Sequence, residues 1–292
     1  VASTGVTGVA GSPPGGAKFI AMLNTRVFLA GHKDTELFWS DAGSHVLWTS
    51  TNFTNVEGNG EKIRGISSFN GRLYIFKSRS LEVWNNVGGQ TVVTRSAFVD
   101  VGSGADYSLV QANNTHYWYG HDGDFYALNG ITPQVISGSI RRELDRLKTT
   151  SDCYGFDFRT ENVVRWYFPT EGRTFVYDYR KNFFSEDGSW AGGQFGRMPI
   201  KSHMEFGDKA YVGDYNPTGL IYEWRDEDLD DAGSEIRVHR RFNVRLDESG
   251  RRARVGRIQF RVKRGVATDD EKTPEFMLRY RFDRGQWVDW RN

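Results

Sequence analysis

The chain has 292 residues and a formal net charge of +1, with 38 Lys and Arg set against 37 Asp and Glu. Such balance excludes a global field that would by itself demand a polyanionic partner, and no run of 18 apolar residues offers a membrane-spanning helix. The single cysteine, Cys153, excludes an internal disulfide and mildly favours an intracellular or virion-type assembly.

Aromatic residues make up 14% of the chain and there are 33 Gly, a mixture suited to short strands and many turns. No Met opens the chain and no charged-then-apolar leader is present, which points to a processed chain or a fragment. Residues 1–16 are small, Gly-rich and aperiodic and read as an arm or loop.

From residue 17 a unit recurs. Arg26-Val-Phe-Leu-Ala-Gly is followed by Glu36-Leu-Phe-Trp-Ser-Asp, Arg72-Leu-Tyr-Ile-Phe-Lys by Leu81-Glu-Val-Trp-Asn-Asn, and Thr115-His-Tyr-Trp-Tyr-Gly by Phe125-Tyr-Ala-Leu-Asn-Gly. Val164-Arg-Trp-Tyr-Phe then precedes Thr174-Phe-Val-Tyr-Asp-Tyr, and Lys209-Ala-Tyr-Val-Gly-Asp precedes Leu220-Ile-Tyr-Glu-Trp-Arg. With Arg26, Arg72, His116, Val164 and Lys209 as anchors, the spacings are 72−26=46, 116−72=44, 164−116=48 and 209−164=45. A period near 45 with about four short strands per unit predicts an all-β fold, a β-propeller of about five or six four-stranded blades. The repeats fall at about 17–50, 61–100, 105–138, 151–186 and 198–226. A β-sandwich is the rival, with no reason to repeat at this spacing.

Local signals fill in the units. The continuous apolar run Val27-Phe-Leu-Ala predicts a strand buried on both faces. Asn70-Gly71 and Asp122-Gly123 predict hairpin turns. One helix is expected over 140–148, because Ile140, Leu144 and Leu147 form a stripe and Ser139 can serve as N-cap. The propeller is expected over 17–233. Residues 234–292 are expected to add a basic β-hairpin, Glu235 to Leu246 and Arg254 to Lys263, and closing aromatic strands between Pro274 and Trp290.

Catalytic signatures are missing from the sequence: there is no Walker A loop, dinucleotide fingerprint, nucleophile elbow or H-E-x-x-H. The six His (32, 45, 116, 121, 203, 239) are scattered, so no metal and no cofactor is expected. Ser40-Asp-Ala-Gly to Trp48, Ser185-Glu-Asp-Gly-Ser-Trp190 and Phe282-Asp-Arg-Gly-Gln-Trp287 have the residue types of the Asp-box turn of sialidase-like propellers without its spacing. They read as Asp-Gly turns that place a Trp on the next strand. The acidic run Asp226, Glu227, Asp228, Asp230 and Asp231 lacks the ligand spacing of a calcium loop. Asn52-Phe-Thr and Asn113-Asn-Thr match the glycosylation acceptor pattern, which is frequent by chance.

The least ordinary stretch runs from Arg237 to Arg264. It includes Arg237, Arg240, Arg241, Arg245, Arg251, Arg252, Arg254 and Arg257, opposed only by Asp247 and Glu248. Arginine's planar fork suits phosphate and carboxylate alike. Three readings stand: a nucleic-acid-facing surface, one half of a charged interface whose acidic partner is the 226–231 run, or a solvated hairpin.

Lys18-Phe-Ile-Ala-Met-Leu-Asn-Thr-Arg-Val-Phe-Leu-Ala-Gly with Phe38-Trp-Ser-Asp resembles the opening blade of the tail nozzle, or packaged-DNA stabilisation, proteins of short-tailed phages. Gly71-Arg-Leu-Tyr-Ile-Phe to Leu81-Glu-Val-Trp is similar too, as is Trp118-Tyr-Gly with Asp124-Phe-Tyr-Ala-Leu-Asn-Gly-Ile-Thr-Pro-Gln-Val-Ile-Ser. Arg251-Arg-Ala-Arg-Val-Gly-Arg-Ile-Gln-Phe and Met277-Leu-Arg-Tyr-Arg-Phe-Asp-Arg-Gly-Gln-Trp look like the end of such proteins, although Arg281-Phe-Asp-Arg-Gly-Gln-Trp departs from their usual Ser-Asp-Asp-Gly-Gly-x-x-Trp. The resemblance implies a virion protein without enzymatic activity, assembled in the host cytoplasm into a homo-oligomeric ring, typically a hexamer, in the tail. It further implies contact with tail adaptor or portal-proximal proteins, transient sequence-independent contact with double-stranded DNA, and no membrane span. Such a ring retains packaged DNA and lets it pass on ejection. The competing function is a carbohydrate-binding or sialidase-like propeller.

Overall fold

The computed structural model describes residues 13–56, 60–88, 92–191, 194–216, 218–225, 230–231, 234–239, 277–281 and 285–289. The chain divides into two compact units, Val1–Gly188 with Gly196–Trp224, and Ser189–Phe195 with Arg225–Asn292.

The first unit is an all-β structure of repeated antiparallel sheets, each a meander in chain order. The first sheet holds β1 (Phe19–Leu23), β2 (Arg26–Ala30), β3 (Glu36–Trp39) and β4 (Phe53–Asn55); the second holds β5 (Ile63–Phe69), β6 (Arg72–Lys77), β7 (Leu81–Asn86) and β8 (Val93–Val99). The third is built of β9 (Val110–Ala112), β10 (Thr115–Tyr119), β11 (Phe125–Leu128) and β12 (Pro133–Val135). The fourth comprises β13 (Tyr154–Phe158), β14 (Val163–Phe168), β15 (Arg173–Asp178) and β16 (Phe183–Asp187). The short pair β17 (Ser189–Ala191) and β18 (Gln194–Gly196) follows in the chain and falls, but for Gly196, in the second unit. The fifth sheet of the first unit has three strands, β19 (Ile200–Phe206), β20 (Lys209–Asp214) and β21 (Ile221–Trp224).

Every expected anchor lies on the second strand of its sheet. The strand registers correct two of them by one residue. Arg26 pairs with Leu23, Arg72 with Phe69 and Lys209 with Phe206, each joining the first residue of the second strand to the last of the first. Thr115 pairs in the same way with Ala112, and Val163 with Phe158. The equivalent positions are therefore Thr115 and Val163 rather than His116 and Val164. The distinction matters because one residue of slip in a strand moves a side chain to the opposite face.

Hairpin chemistry explains why the turns form where they do. Asn70 and Gly71 both have positive φ, 50° and 71°, as a two-residue type I′ turn requires. Asn113 and Asn114 do the same between β9 and β10, at 45° and 58°. Gly123 (φ 86°) turns the chain between β10 and β11, where the Gly120 N–H donates to the Asp124 carbonyl at 2.7 Å.

Four apolar layers lie between the five sheets. Phe28, Leu37 and Trp39 meet Ile63, Leu73 and Ile75 between the first and second sheets. Tyr74, Phe76 and Leu81 meet Trp118, Tyr126 and Leu128 in the next layer. Tyr117, Tyr119 and Phe125 then meet Val164, Trp166 and Phe168, and Phe158, Val163 and Tyr167 meet Ile200 and Val212. Full burial of each large side chain contributes roughly 1.5–3 kcal/mol. Successive first strands also approach one another, β1 to β5, β9 to β13 and β13 to β19. Gly155 permits one of these approaches, since a Cβ there would come within 2.8 Å of Val110 and 2.7 Å of Trp166.

Two local expectations are corrected. Val27 and Leu29 are only half-buried, whereas β14 is buried along its whole length. The apolar run in β2 is the same, but the first sheet has a neighbour on one face only among the described residues. The helix shrinks to a 3₁₀ turn, Gly138–Ile140, and a single α turn, α1 (Arg141–Leu144). Ser139 lies inside the 3₁₀ turn and Ser137 precedes it, without a side-chain capping bond. The Ser137 hydroxyl is engaged elsewhere, accepting from the Phe125 N–H at 3.0 Å and donating to Asp124 at 2.7 Å. Leu144 is buried, and Ile140 and Leu147 pack against the same layer.

In the second unit β22 (Asp230–Asp231) pairs with β23 (Ser234–Glu235), and β24 (Arg279–Tyr280) pairs with β25 (Val288–Asp289). The latter pair falls within the expected closing strands. The bulk of the expected basic hairpin lies outside the described residues. Among the described residues no helix is long and apolar enough to cross a membrane.

Candidate functional site

Of the arginines singled out in the sequence, only Arg237 is described. It is exposed, and its guanidinium lies 4.3 Å from the ring centre of Trp190, a cation–π contact within the second unit. Arg240, Arg241, Arg245, Arg251, Arg252, Arg254 and Arg257 lie outside the described residues, as do Asp226, Glu227 and Asp228. Asp230 and Asp231 are described as backbone only. The expected basic and acidic sets therefore fall almost wholly outside the described residues.

The Asp-Gly loop after β3 is a structural turn. Asp41 accepts from Asn52 Nδ2 at 2.6 Å and Thr49 Oγ1 at 3.1 Å, Gly43 takes φ 72°, and the buried Trp48 donates Nε1 to the His45 carbonyl at 3.1 Å. Both carboxylate oxygens of Asp41 are engaged in holding the loop. Asp187, in the second such motif, lies in β16 and accepts from Arg165 Nε at 3.0 Å. The third motif falls partly outside the described residues.

The histidines take separate roles. His116 is buried on β10 against Phe69, Tyr74 and Phe76, with Nε2 2.9 Å from Ser67 Oγ, and burial lowers its pKa to about 4. His121 stands on the β10–β11 turn. Among the described residues no group of three or more potential ligands could hold a metal. Burial also raises the pKa of Cys153, an inert thiol at pH 7.

A polar cleft of about 600 Å³ opens where loops of the second and third sheets meet α1 and the residues after it. Its wall is formed by Ser78–Arg79 after β6, Ser103–Gly104 before β9, Tyr119–Gly123, and 141–150. The loops come this close because glycines stand at the contacts. A Cβ at Gly102 would lie 2.4 Å from the Arg79 backbone nitrogen, and one at Gly104 would lie 2.7 Å from the Gly120 carbonyl oxygen. Sequence reading missed this cleft, since its residues come from four separated loops and none forms a motif.

The two outermost faces of the five-sheet series are apolar and open. At the end of its first strand each sheet places Leu23, Phe69, Ala112 or Phe158 toward the next sheet. The fifth places Phe206 there, 75% exposed, beside the exposed Met204 and Ile221. The opposite face of the first sheet carries Ile20 and Met22, 70% and 67% exposed, with Phe38 stacked on Phe53 at 5.7 Å.

No known protein-family model matches the chain, and no curated protein matches it in sequence. Among solved structures it is similar to Hsv2 of Kluyveromyces lactis (9% identity, TM-score 0.46, covering 76% of this chain and 65% of that one). A chain of the mitotic checkpoint complex gives 10% identity and a TM-score of 0.42, covering 71% of this chain and 61% of that one. PorZ, a bacterial surface component of the type-IX secretion system of Porphyromonas gingivalis, gives 12% and 0.36, covering 66% of this chain and 23% of that one. The chain thus spans less than two thirds of the length of each of these proteins.

Proposed function

We propose that the chain is a structural ring protein of a phage tail, built on a propeller that a further four-stranded sheet closes between the first and fifth sheets. The observation that carries the closure is Phe206. Its counterparts in the other four sheets face a neighbouring sheet, while Phe206 and the Ile20–Met22 face present the same kind of surface to solvent. Exposed apolar faces of this kind mark contact surfaces.

The tail function rests on the resemblance of residues 18–31, 38–41, 71–84 and 118–137 to nozzle proteins. These stretches fall on β1–β3, β6–β7 and β10–β12, so the likeness recurs at corresponding places of successive sheets. In this reading the arginines between 237 and 257 meet either DNA phosphate or the acidic run of a neighbouring subunit. No turnover is required in this reading.

Electron microscopy of assembled tails carrying a labelled chain tests the proposal. A ring of identical copies on the tail axis is expected, and a single copy per tail overturns it. Changing Arg251, Arg252 and Arg254 together to Glu separates the two roles of the arginines. Assembled particles that lose packaged DNA indicate the DNA path, and particles lacking the ring indicate the interface.

A further inference from the structure

The cleft between the second and third sheets has its own hydrogen-bond balance, independent of any tail assembly. Its acids are already engaged. Asp122 accepts from the Tyr126 hydroxyl at 2.5 Å and the Asp124 N–H at 3.3 Å, and Asp145 accepts from Arg141 Nε at 2.9 Å. Two of its cations are engaged as well: Arg141 with Asp124 and Asp145, and Arg64 with Asp106 at 3.0 Å.

Three donors are left. The side chains of Arg79 and Lys148 make no ion pair or hydrogen bond among the described residues, although both line the cleft. Their backbone N–H groups are the parts that are held, by Glu61 at 2.9 Å and by Glu171 at 3.0 Å, which fixes the two loops in place. The third donor is His121. Its Nδ1 accepts the Gly102 N–H at 3.3 Å, so the ring hydrogen of the neutral imidazole sits on Nε2. These three donors lack an acidic side-chain partner among the described residues and come from three separate loops.

We propose that this cleft binds a phosphate monoester of mononucleotide or sugar-phosphate size, held at its phosphate by Arg79, Lys148 and His121. A tetrahedral phosphate offers three terminal oxygens to donors that approach from different loops, whereas a carboxylate offers two in one plane. The volume of about 600 Å³ leaves room for the ester group beyond the phosphate. Four cations, Arg64, Arg79, Arg141 and Lys148, line the wall with two carboxylates, Asp122 and Asp145, so its charge favours an anion, and recognition acts through charge-assisted hydrogen bonds.

Titration calorimetry on the full chain with AMP, glucose 6-phosphate and inorganic phosphate tests the assignment. Saturable binding of at least one ester is expected, and the preferred ester identifies the source of the phosphate. Arg79→Ala and Lys148→Ala should each weaken binding about tenfold, the effect of one lost charge-assisted hydrogen bond. Both side chains are exposed, so unchanged thermal midpoints are expected to show that the variants fold. Absence of saturable binding by all three probes overturns the proposal, as does binding that the double variant Arg79→Ala/Lys148→Ala leaves unchanged. Preference for glucuronate over the phosphate esters would overturn the choice of phosphate.

Discussion

Arg165 and Glu161 form a two-pronged ion pair, Nη1–Oε1 at 3.2 Å and Nη2–Oε2 at 2.6 Å, with Arg165 only 4% exposed. Arg165 occupies the third position of its strand, where the other four sheets carry Phe28, Tyr74, Tyr117 and Tyr211. It meets the demands of an aromatic site by laying its guanidinium 4.2 Å from the Phe158 ring centre and 4.9 Å from that of Trp224. Burial alone would lower its pKa, but Glu161 and Asp187 hold the pKa above its ordinary value. Trp224 Nε1 also donates to Glu161, at 2.6 Å.

Glu161→Ala should therefore cost about 3–5 kcal/mol, since it leaves a buried guanidinium short of its main partner. Removing both charges is different. Arg165→Phe with Glu161→Gln should restore most of that loss, because an apolar side chain suits the layer and the new amide oxygen can still accept from Trp224. Urea unfolding of the parent and the two variants measures both steps. Equal destabilisation by the single and double variants would show that the ion pair itself, and not the stranded charge, sets the cost.

Met22→Lys and Phe206→Lys test closure of the propeller. If a sheet covers both faces, each lysine places a charge in an apolar layer and should cost at least about 2 kcal/mol. If the faces meet water, each change should stay within about 0.5 kcal/mol, as surface substitutions do. Thermal midpoints of the full chain distinguish the two cases.

The repeat was legible because its signal is local. Aromatic and β-branched runs, Asn-Gly turns and a near-constant spacing all act within one hairpin, and all five units lie where the spacing put them. The phase within each strand was not legible. His116 and Thr115 are both compatible with an aromatic strand, and only cross-strand pairing decides which faces forward. The helix falls short of 140–148 because Ile140, Leu144 and Leu147 form a helical stripe over too few residues to propagate one, and packing against the third layer satisfies the same stripe with a single turn. The cleft was illegible for a third reason: Arg79, His121 and Lys148 line it from separate loops, and the close approaches at Gly102 and Gly104 that join the first two form no motif.

That approach can be tested at Gly102. An added methyl would press against Arg79 backbone atoms at 2.4–2.5 Å, and backbone yields less readily than the end of a side chain. Gly102→Ala should cost about 1–3 kcal/mol, the range for overpacking, and should disturb the Gly102 N–H bond to His121. Gly130→Ala is an informative contrast, since its Cβ would meet nothing within 4 Å and only its φ of 93° opposes the change. Chemical denaturation of both variants, with the His121 ring resonances followed by NMR, separates the clash from backbone strain.

The dependence of stability on pH should expose two buried groups with opposite signs. Burial lowers the pKa of His116 from 6.5 to about 4, so below pH 6.5 the unfolded chain takes up a proton that the folded chain refuses. Its contribution is present above pH 6.5 and is lost as pH falls toward 4. Burial raises the pKa of Asp157 from 3.8 to about 6, with Arg159 only partly opposing the rise. Here the unfolded chain ionises first, so stability is lost as pH rises from 3.8 to 6. The His116 effect has an amplitude on the order of 3 kcal/mol at most, and that of Asp157 is smaller because water partly screens it. Between pH 4 and 6 the two slopes oppose one another. Asp157→Asn should remove one slope, so that its stability relative to the parent falls as the pH is lowered from 6 to 4. His116→Gln should remove the other, and its stability relative to the parent should rise over the same interval. Urea midpoints at half-unit pH steps measure both differences. If neither difference changes with pH, the two groups do not titrate as their burial requires.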